Sequence, residues 1–339
     1  MLITTDLHLT DSAKDEYRWS IFPWLKETIR STSSTSLFIL GDLTDAKDGH
    51  KSRLVNRIID SLLSLEVPVY ILQGNHDYVE GSQAFFSFLS KPICENIKWF
   101  GGVPSKYRSI LMLPHTRTPS EDWSNLDFQD YNMVFCHQTF NGANAGNHIL
   151  NANVGPKFFR EHGLPAESLV LSGDIHMPQS LPEKNPCLHY VGCPYPVAFG
   201  DSFSPRVIKI NQDLTIRSIP VPSIRRWSLD IESVEDLEPV GIKPGDQAKL
   251  RIHLDRSEFP FWEQHKSYIQ TWATKNGVEL FSLELRDKPR KRDEAITAAG
   301  NSTLDNKTLL ARFSEHEDLD PEILEVGLSC LESVTTEDG

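Results

Sequence analysis

The chain has 339 residues, 39% of them hydrophobic and 24% charged, with 17 Phe and 7 Trp, which excludes a largely disordered chain and supplies more than one small core. No apolar run approaches the roughly 20 residues that span a bilayer, so no membrane association is expected. The formal net charge of −13 disfavours a passive polyanion binder, whose phosphate contacts come from Lys and Arg, unless carboxylates hold divalent cations and so present a positive site.

Short apolar runs at 1–5, 36–40, 67–72, 110–113, 132–136 and 168–171 read as strands, each closed by a cluster containing His, Asp or Asn. Between them, 52–65 places Leu54, Val55, Ile58, Ile59, Leu62, Leu63 and Leu65 on one helical face. Residues 1–222 therefore read as an α/β domain, a buried sheet whose strand ends gather polar groups at one rim. Past residue 222 the texture changes. Strand patterns at 226–231, 248–254 and 278–285 surround a helical stretch at 263–275, which predicts a small α+β domain over 223–286. A basic run around Pro289 leads into Ala, Gly and Ser, so 287–303 reads as a linker. The remainder, 304–339, carries two short amphipathic helices, at 304–313 and 321–331. The second has Asp320 at its N-cap and Pro321 in its first turn.

The 5 Cys contain no Cys-x-x-Cys pair, which argues against a disulfide framework or a zinc knuckle and for a reducing cytoplasm. Residues 1–6 carry neither a basic segment nor a signal-type apolar stretch, so secretion is not expected. Cys136 precedes His137, but its place in an apolar strand makes it a packing residue rather than a nucleophile.

The polar clusters are Asp6-Leu-His8, Gly41-Asp42-Leu-Thr-Asp45, Gly74-Asn75-His76-Asp77, Cys136-His137 and Gly173-Asp174-Ile-His176. Any one of them alone reads as turn chemistry; the ordered set, each member at a strand end, points to cation binding. Asp6 and His8 are two apart, so an extended strand end would turn both side chains the same way. Asp174 and His176 share that spacing. Carboxylate, amide and imidazole together suit Mn, Fe, Zn or Mg, and the oxygen-rich balance leans to Mn. The glycines before Asp42, Asn75 and Asp174 are expected to let the backbone turn sharply.

These motifs resemble those of the calcineurin-like metallophosphoesterase superfamily. More narrowly, Gly173-Asp-Ile-His-Met-Pro-Gln-Ser followed by Tyr190-Val-Gly-Cys-Pro-Tyr-Pro196 resembles the D subunit of the SbcCD recombination nuclease and its eukaryotic and phage relatives. The specificity of the match sits in residues 1–200, and the later parts match by position and texture. The resemblance implies a metallophosphoesterase β-sandwich flanked by helices, with 223–286 as a capping domain and 304–339 as a helical segment for a coiled-coil ATPase subunit of the SbcC kind. It implies two divalent metals. Asp6, His8, Asp42 and His176 would hold one, and Asp42, Asn75 and His137 the other. His76 matches the family's non-ligand histidine at the scissile phosphate, with Asp45 and Asp77 in supporting positions. Asp174 departs from the pattern, because the family has Gly-His-x-His there. As a ligand of the second metal it would add a negative charge and make a weaker Lewis acid.

The implied activity is two-metal hydrolysis of a phosphodiester by a DNA exonuclease or endonuclease subunit. It would act in end processing, repair or recombination, in the cytoplasm or in the host cytoplasm if the chain is viral. A homodimer is compatible with this reading. The alternatives are another phosphomonoesterase or phosphodiesterase on the same scaffold, and a non-catalytic DNA-end-binding subunit.

Overall fold

Strands buried on both faces read as continuous apolar runs rather than alternating ones, and that is how this chain builds its centre. The computed structural model describes residues 1–79, 83–91, 95–146, 148–181, 187–237, 241–288 and 326. In it β1 (Leu2–Thr4), β2 (Leu37–Leu40), β3 (Val69–Leu72) and β4 (Ile97–Phe100) run parallel. Next, β5 (Ser105–Tyr107) pairs antiparallel with β6 (Ile110–Leu113), which lies parallel to β7 (Met133–His137). A hairpin, β8 (Asn144–Ala145) and β9 (His148–Ile149), precedes β10 (Leu169–Gly173), β11 (Gln179–Ser180) and β12 (Cys187–Tyr190), and β13 (Arg206–Ile210) and β14 (Ile216–Pro220) follow. Apart from that hairpin, these strands assemble into two 6-stranded sheets, ordered β14-β13-β1-β2-β3-β4 and β11-β12-β10-β7-β6-β5.

Period-two alternation divides each strand between two cores. Ile3, Phe38, Leu40 and Leu72 of the first sheet face Ile110, Met112, Phe135 and Leu171 of the second, closing the sandwich. Their neighbours Leu2, Leu37, Ile39, Val69 and Ile71 point outward against α1 (Ile21–Ser31) and α2 (Ser52–Leu63), through Leu25, Ile29, Leu54, Ile58 and Leu62. Truncating a fully buried member such as Ile58 to Ala would cost about 2–5 kcal/mol. Across the molecule, α3 (Pro119–Asp122) and α4 (Lys157–Glu161) belong to an aromatic layer of Trp123, Phe128, Phe140 and Phe159 over Leu111, Val134 and Val170. Helix α1 is not among the elements expected from the sequence. Pro23 interrupts that apolar stretch, but it falls in the first turn, where its missing N–H has no partner to lose.

The third sheet is all parallel: β15 (Arg226–Ile231), β16 (Gln247–Leu254) and β17 (Glu279–Asp287). Its connecting helix α5 (Trp262–Asn276) packs Ile269 onto Leu250, Ile252 and Leu254, and ends at Gly277 with φ 66°, a left-handed cap. This sheet and the sandwich form one compact unit, Met1–Asp287. Gln247 Nε2 donates to the Lys14 carbonyl (2.7 Å), and the Arg226 guanidinium lies 4.0 Å from the Phe199 ring centre. Residues Lys288–Gly339 form a second unit. Apart from Asp287, Lys288 and Val326, the linker expected at 287–303 and the helices expected within 304–339 lie outside the described residues. Among the described residues no helix is long and apolar enough to cross a membrane.

Candidate metal centre

Parallel strands deliver their C-terminal ends to one rim. Asp6 and His8 follow β1, Asp42 and Asp45 follow β2, and Asn75, His76 and Asp77 follow β3; His137 ends β7, and Asp174 and His176 follow β10. Gly173 is in register with His137, so β7 and β10 bring their polar ends level. Among the described residues, three groups of side chains present ligand atoms within 4.8 Å of one another: Asp6, His8 and His176; His8, Asp42 and His76; Asp6, Asp42 and His137. Asn75 joins the last, its Oδ1 2.8 Å from His137 Nε2. His76 comes within reach of His8 and Asp42, although the sequence reading expects it to stay off the metal.

The strand-end geometry expected for Asp6 and His8 is corrected by the structure. β1 stops at Thr4, and the two residues have φ of 52° and 41°. Asp42 (φ 53°) and Asp174 (φ 82°) also lie in the left-handed region, each at a cost of roughly 1–3 kcal/mol. Backbone bonds hold these conformations: Asp6 N–H donates to the Gly41 carbonyl (3.0 Å) and His8 N–H to that of Asp42 (2.9 Å). The glycines act differently from expectation too. Only Gly41 among the three has a positive φ. Gly74 and Gly173 serve close approach, since a Cβ would stand 2.2 Å from Asp42 Oδ1 and 2.2 Å from Thr5 Oγ1, respectively.

Asp42 turns an oxygen to each side of the cluster. Its Oδ2 lies 3.6 Å from His8 Nε2 and its Oδ1 3.4 Å from His137 Nε2. His137 Nδ1 sits 2.6 Å from the Leu40 carbonyl, which can only accept, so Nδ1 carries a proton. His137 Nε2 therefore faces oxygens of Asn75, Asp42 and Asp174, the last at 3.9 Å, and burial notwithstanding, the Asp42, Asp6 and Asp174 carboxylates raise His137 well above the ordinary imidazole range. On the other side, His8 Nε2 and His176 Nε2 are 3.2 Å apart, and Asp6 Oδ2 is buried with no hydrogen-bond partner. Oxygens and imidazole nitrogens converging in this way can be bridged by protons on the imidazoles or by a cation, and the donor set fits divalent metal.

Burial opposes charge on His8, but the Asp45, Asp42 and Asp6 carboxylates outweigh it and raise this imidazole above its ordinary range. Burial pushes Asp6 up to about 6, with the Asp42 charge adding to it. Burial also opposes ionisation of Asp42, but His137 and His8 outweigh it and hold that carboxyl well below the usual range. Burial and then the neighbouring His8 depress His176 to about 4, which keeps its imidazole neutral and able to ligate.

Supporting groups surround these donors. Asp45 Oδ1 lies 3.5 Å from His8 Nδ1, and the His8 imidazole holds the Asp45 carboxyl below its ordinary range. His76 Nδ1 is 2.6 Å from the Asp45 carbonyl. The buried Asp77 accepts from the backbone N–H groups of Asp42 and Gly74, both at 2.9 Å, tying two loops together. Asp174 stands outside the three tight groups and accepts from the Thr139 hydroxyl. Neither Thr139 nor Arg18 is expected from the sequence, and the 190–196 motif carries the resemblance there without its side chains being assigned the place they take behind Asp6–His8. Cys193 Sγ lies 3.6 Å from the Asp6 carbonyl, the Tyr195 hydroxyl donates to that of Leu7, and the buried Arg18 guanidinium to that of His8. Three successive carbonyls of a strained loop are thus held from the 190–196 turn and from residue 18. Cys136 is buried, and burial pushes its thiol up to about 12, which fits packing.

The family model described as calcineurin-like phosphoesterase matches residues 1–178, more than half of the chain. Protein 244L of Invertebrate iridescent virus 6, which carries a phosphoesterase name, is 29% identical over 253 residues, covering 67% of this chain and 80% of its own length. Among solved structures, a dimetal phosphatase from Danio rerio is similar at 12% identity and a TM-score of 0.39, over 65% of this chain and 98% of that one. GAP50, the anchor in the inner membrane complex of Plasmodium, is similar at 11% identity and a TM-score of 0.40, over 85% and 96%. By the family match, the chain belongs to the calcineurin-like metallophosphoesterase superfamily.

Proposed function

We propose that this phosphoesterase is a DNA nuclease subunit of the SbcD type that hydrolyses phosphodiesters with two divalent metals, manganese foremost. The observation that carries the reading is the shared Asp42, whose two oxygens face His8 on one side and His137 on the other. Asp6, His8, Asp42 and His176 would hold one cation, and Asp42, Asn75, His137 and Asp174 the second. Bound there, the cations would supply Lewis acidity toward the phosphoryl oxygens and acidify a water. The chain's own residues do the rest. His76, anchored through Nδ1 on the Asp45 carbonyl, would carry a proton at Nε2 for the departing oxygen. Asp77 keeps the Gly74 loop and Asp42 in register.

Support for DNA over a small ester comes from the 190–196 turn and from the small sheet that adjoins it at Phe199 and Arg226. In this proposal the 304–339 segment binds a coiled-coil ATPase subunit, and the pair acts in the cytoplasm, or in the host cytoplasm if the chain is viral. The alternative of a non-catalytic DNA-end-binding subunit draws on Asp174, which is engaged by Thr139 and would bring a third carboxylate to the cations.

The test measures Mn-dependent cleavage of linear plasmid DNA against a chromogenic phosphomonoester, with and without a coexpressed ATPase subunit. DNA cleavage that rises with the partner is expected. Turnover of the monoester alone would overturn the proposal, and truncation after Arg292 should abolish copurification with the partner while sparing metal binding.

A further inference from the structure

Beside the metal centre lies a cleft of about 260 Å³ that no step above uses. Asp174 and His176 form one wall, so a group seated in it adjoins the metal donors directly. The opposite wall is the 200–203 loop. Asp201 Oδ2 accepts from the N–H groups of Val197 (3.0 Å) and Ala198 (2.8 Å), and Gly200 N–H donates to the Arg226 carbonyl (2.8 Å). A third side is the β8–β9 hairpin, through Ala145. Gln179 pins that hairpin twice: its Oε1 accepts from Asn144 N–H and its Nε2 donates to the Asn144 carbonyl, both at 2.8 Å. All three walls are bonded in place, so the cleft is preformed.

Its chemistry selects what enters. Ile175, Met177, Phe203 and Ala145 present apolar surface, and none of the lining residues is Lys or Arg. Two carboxylates, Asp174 and Asp201, face the same space. Away from the metal donors the lining offers a phosphate no Lys or Arg, only the Asp201 carboxylate and apolar side chains, so an uncharged occupant fits it. The volume falls below the roughly 300–1,000 Å³ of pockets that enclose drug-sized ligands, leaving room for one flat ring system. An aromatic side chain and a thioether provide the surface on which such a ring stacks, and the Asp201 and Ser202 oxygens can accept from an amino edge.

We propose that this cleft receives the base of the nucleotide whose phosphate reaches the metal donors. The inference rests on the phosphodiesterase reading and narrows its substrate to nucleotide esters with an unstacked base.

The test begins with metal-free protein. Saturation-transfer NMR with deoxyadenosine and with deoxyribose should show saturable binding of the nucleoside alone. Phe203→Ala should weaken it by roughly tenfold, and Ala145→Leu, which fills the cleft, should do the same in case the first variant folds poorly. With Mn added, turnover of the para-nitrophenyl ester of deoxyadenosine 5′-phosphate is compared with that of methyl para-nitrophenyl phosphate, which has a methyl group in place of the nucleoside. Both variants should slow only the nucleoside ester. Unchanged nucleoside binding and an unchanged ratio of the two rates would overturn the cleft assignment while leaving the phosphodiesterase reading intact. If neither ester is turned over but binding still depends on Phe203, the phosphodiesterase reading falls and the base site stands.

Discussion

Replacing Gly41 by Ala separates two needs for glycine at the rim, backbone freedom and close approach. Gly41 has φ +97°, and a Cβ there would stand 2.1 Å from His137 Nδ1 and 2.6 Å from its Cγ. The ring cannot retreat, because His137 is fully buried and its Nδ1 is bonded to the Leu40 carbonyl. A left-handed backbone costs an L-residue about 1–2 kcal/mol, and overpacking a buried site adds about 1–3 kcal/mol. The variant should therefore lose about 2–5 kcal/mol. Gly102 is the control: its φ is +80° but nothing lies within 4 Å of its Cβ position, so Gly102→Ala should lose only the backbone share, about 1–2 kcal/mol. At roughly 2 °C per kcal/mol for a unit of this size, thermal melting should fall by about 4–10 °C for the first variant and about 2–4 °C for the second. Calorimetric titration with Mn should show weaker binding only in Gly41→Ala, since only there is a proposed ligand displaced. Equal melting shifts with equal metal binding would refute the close-approach argument.

His76→Ala should abolish phosphodiester hydrolysis while metal content by elemental analysis stays near that of the parent protein; parallel loss of both would make His76 a ligand. Asp174→Ala should remove one of two metals and most activity, and Asp174→His should keep both with altered preference among Mn, Mg and Zn. Unchanged stoichiometry in the alanine variant, read by calorimetry, would reduce Asp174 to a partner of Thr139. Arg18→Leu removes a charged donor from the buried His8 carbonyl and should cost about 1–3 kcal/mol in denaturant unfolding and weaken metal binding, with partial recovery in Arg18→Lys. A loss of stability without any change in metal affinity would show that Arg18 supports the fold alone.

The strands and their polar ends were legible because each buried strand must be apolar on both faces and must stop where the chain turns polar. That logic locates Asp6, Asp42, Asn75, His137 and Asp174 at strand ends without any tertiary information. It does not carry to the conformation of those ends. Asp6 and His8 share a site through left-handed backbone rather than through strand alternation, and such backbone is stable only when distant groups hold it. Those groups are Cys193, Tyr195 and Arg18, the second of them 188 residues away along the chain; the first two lie in a motif legible by resemblance, but no local pattern ties it, or Arg18, to these carbonyls. The same holds for Thr139 on Asp174, and for the Cβ-free approach of Gly74 to Asp42. Local periodicity reports which faces are buried. Which carbonyl a buried hydroxyl or guanidinium will satisfy depends on how the two sheets and their loops meet, and only the folded chain decides that.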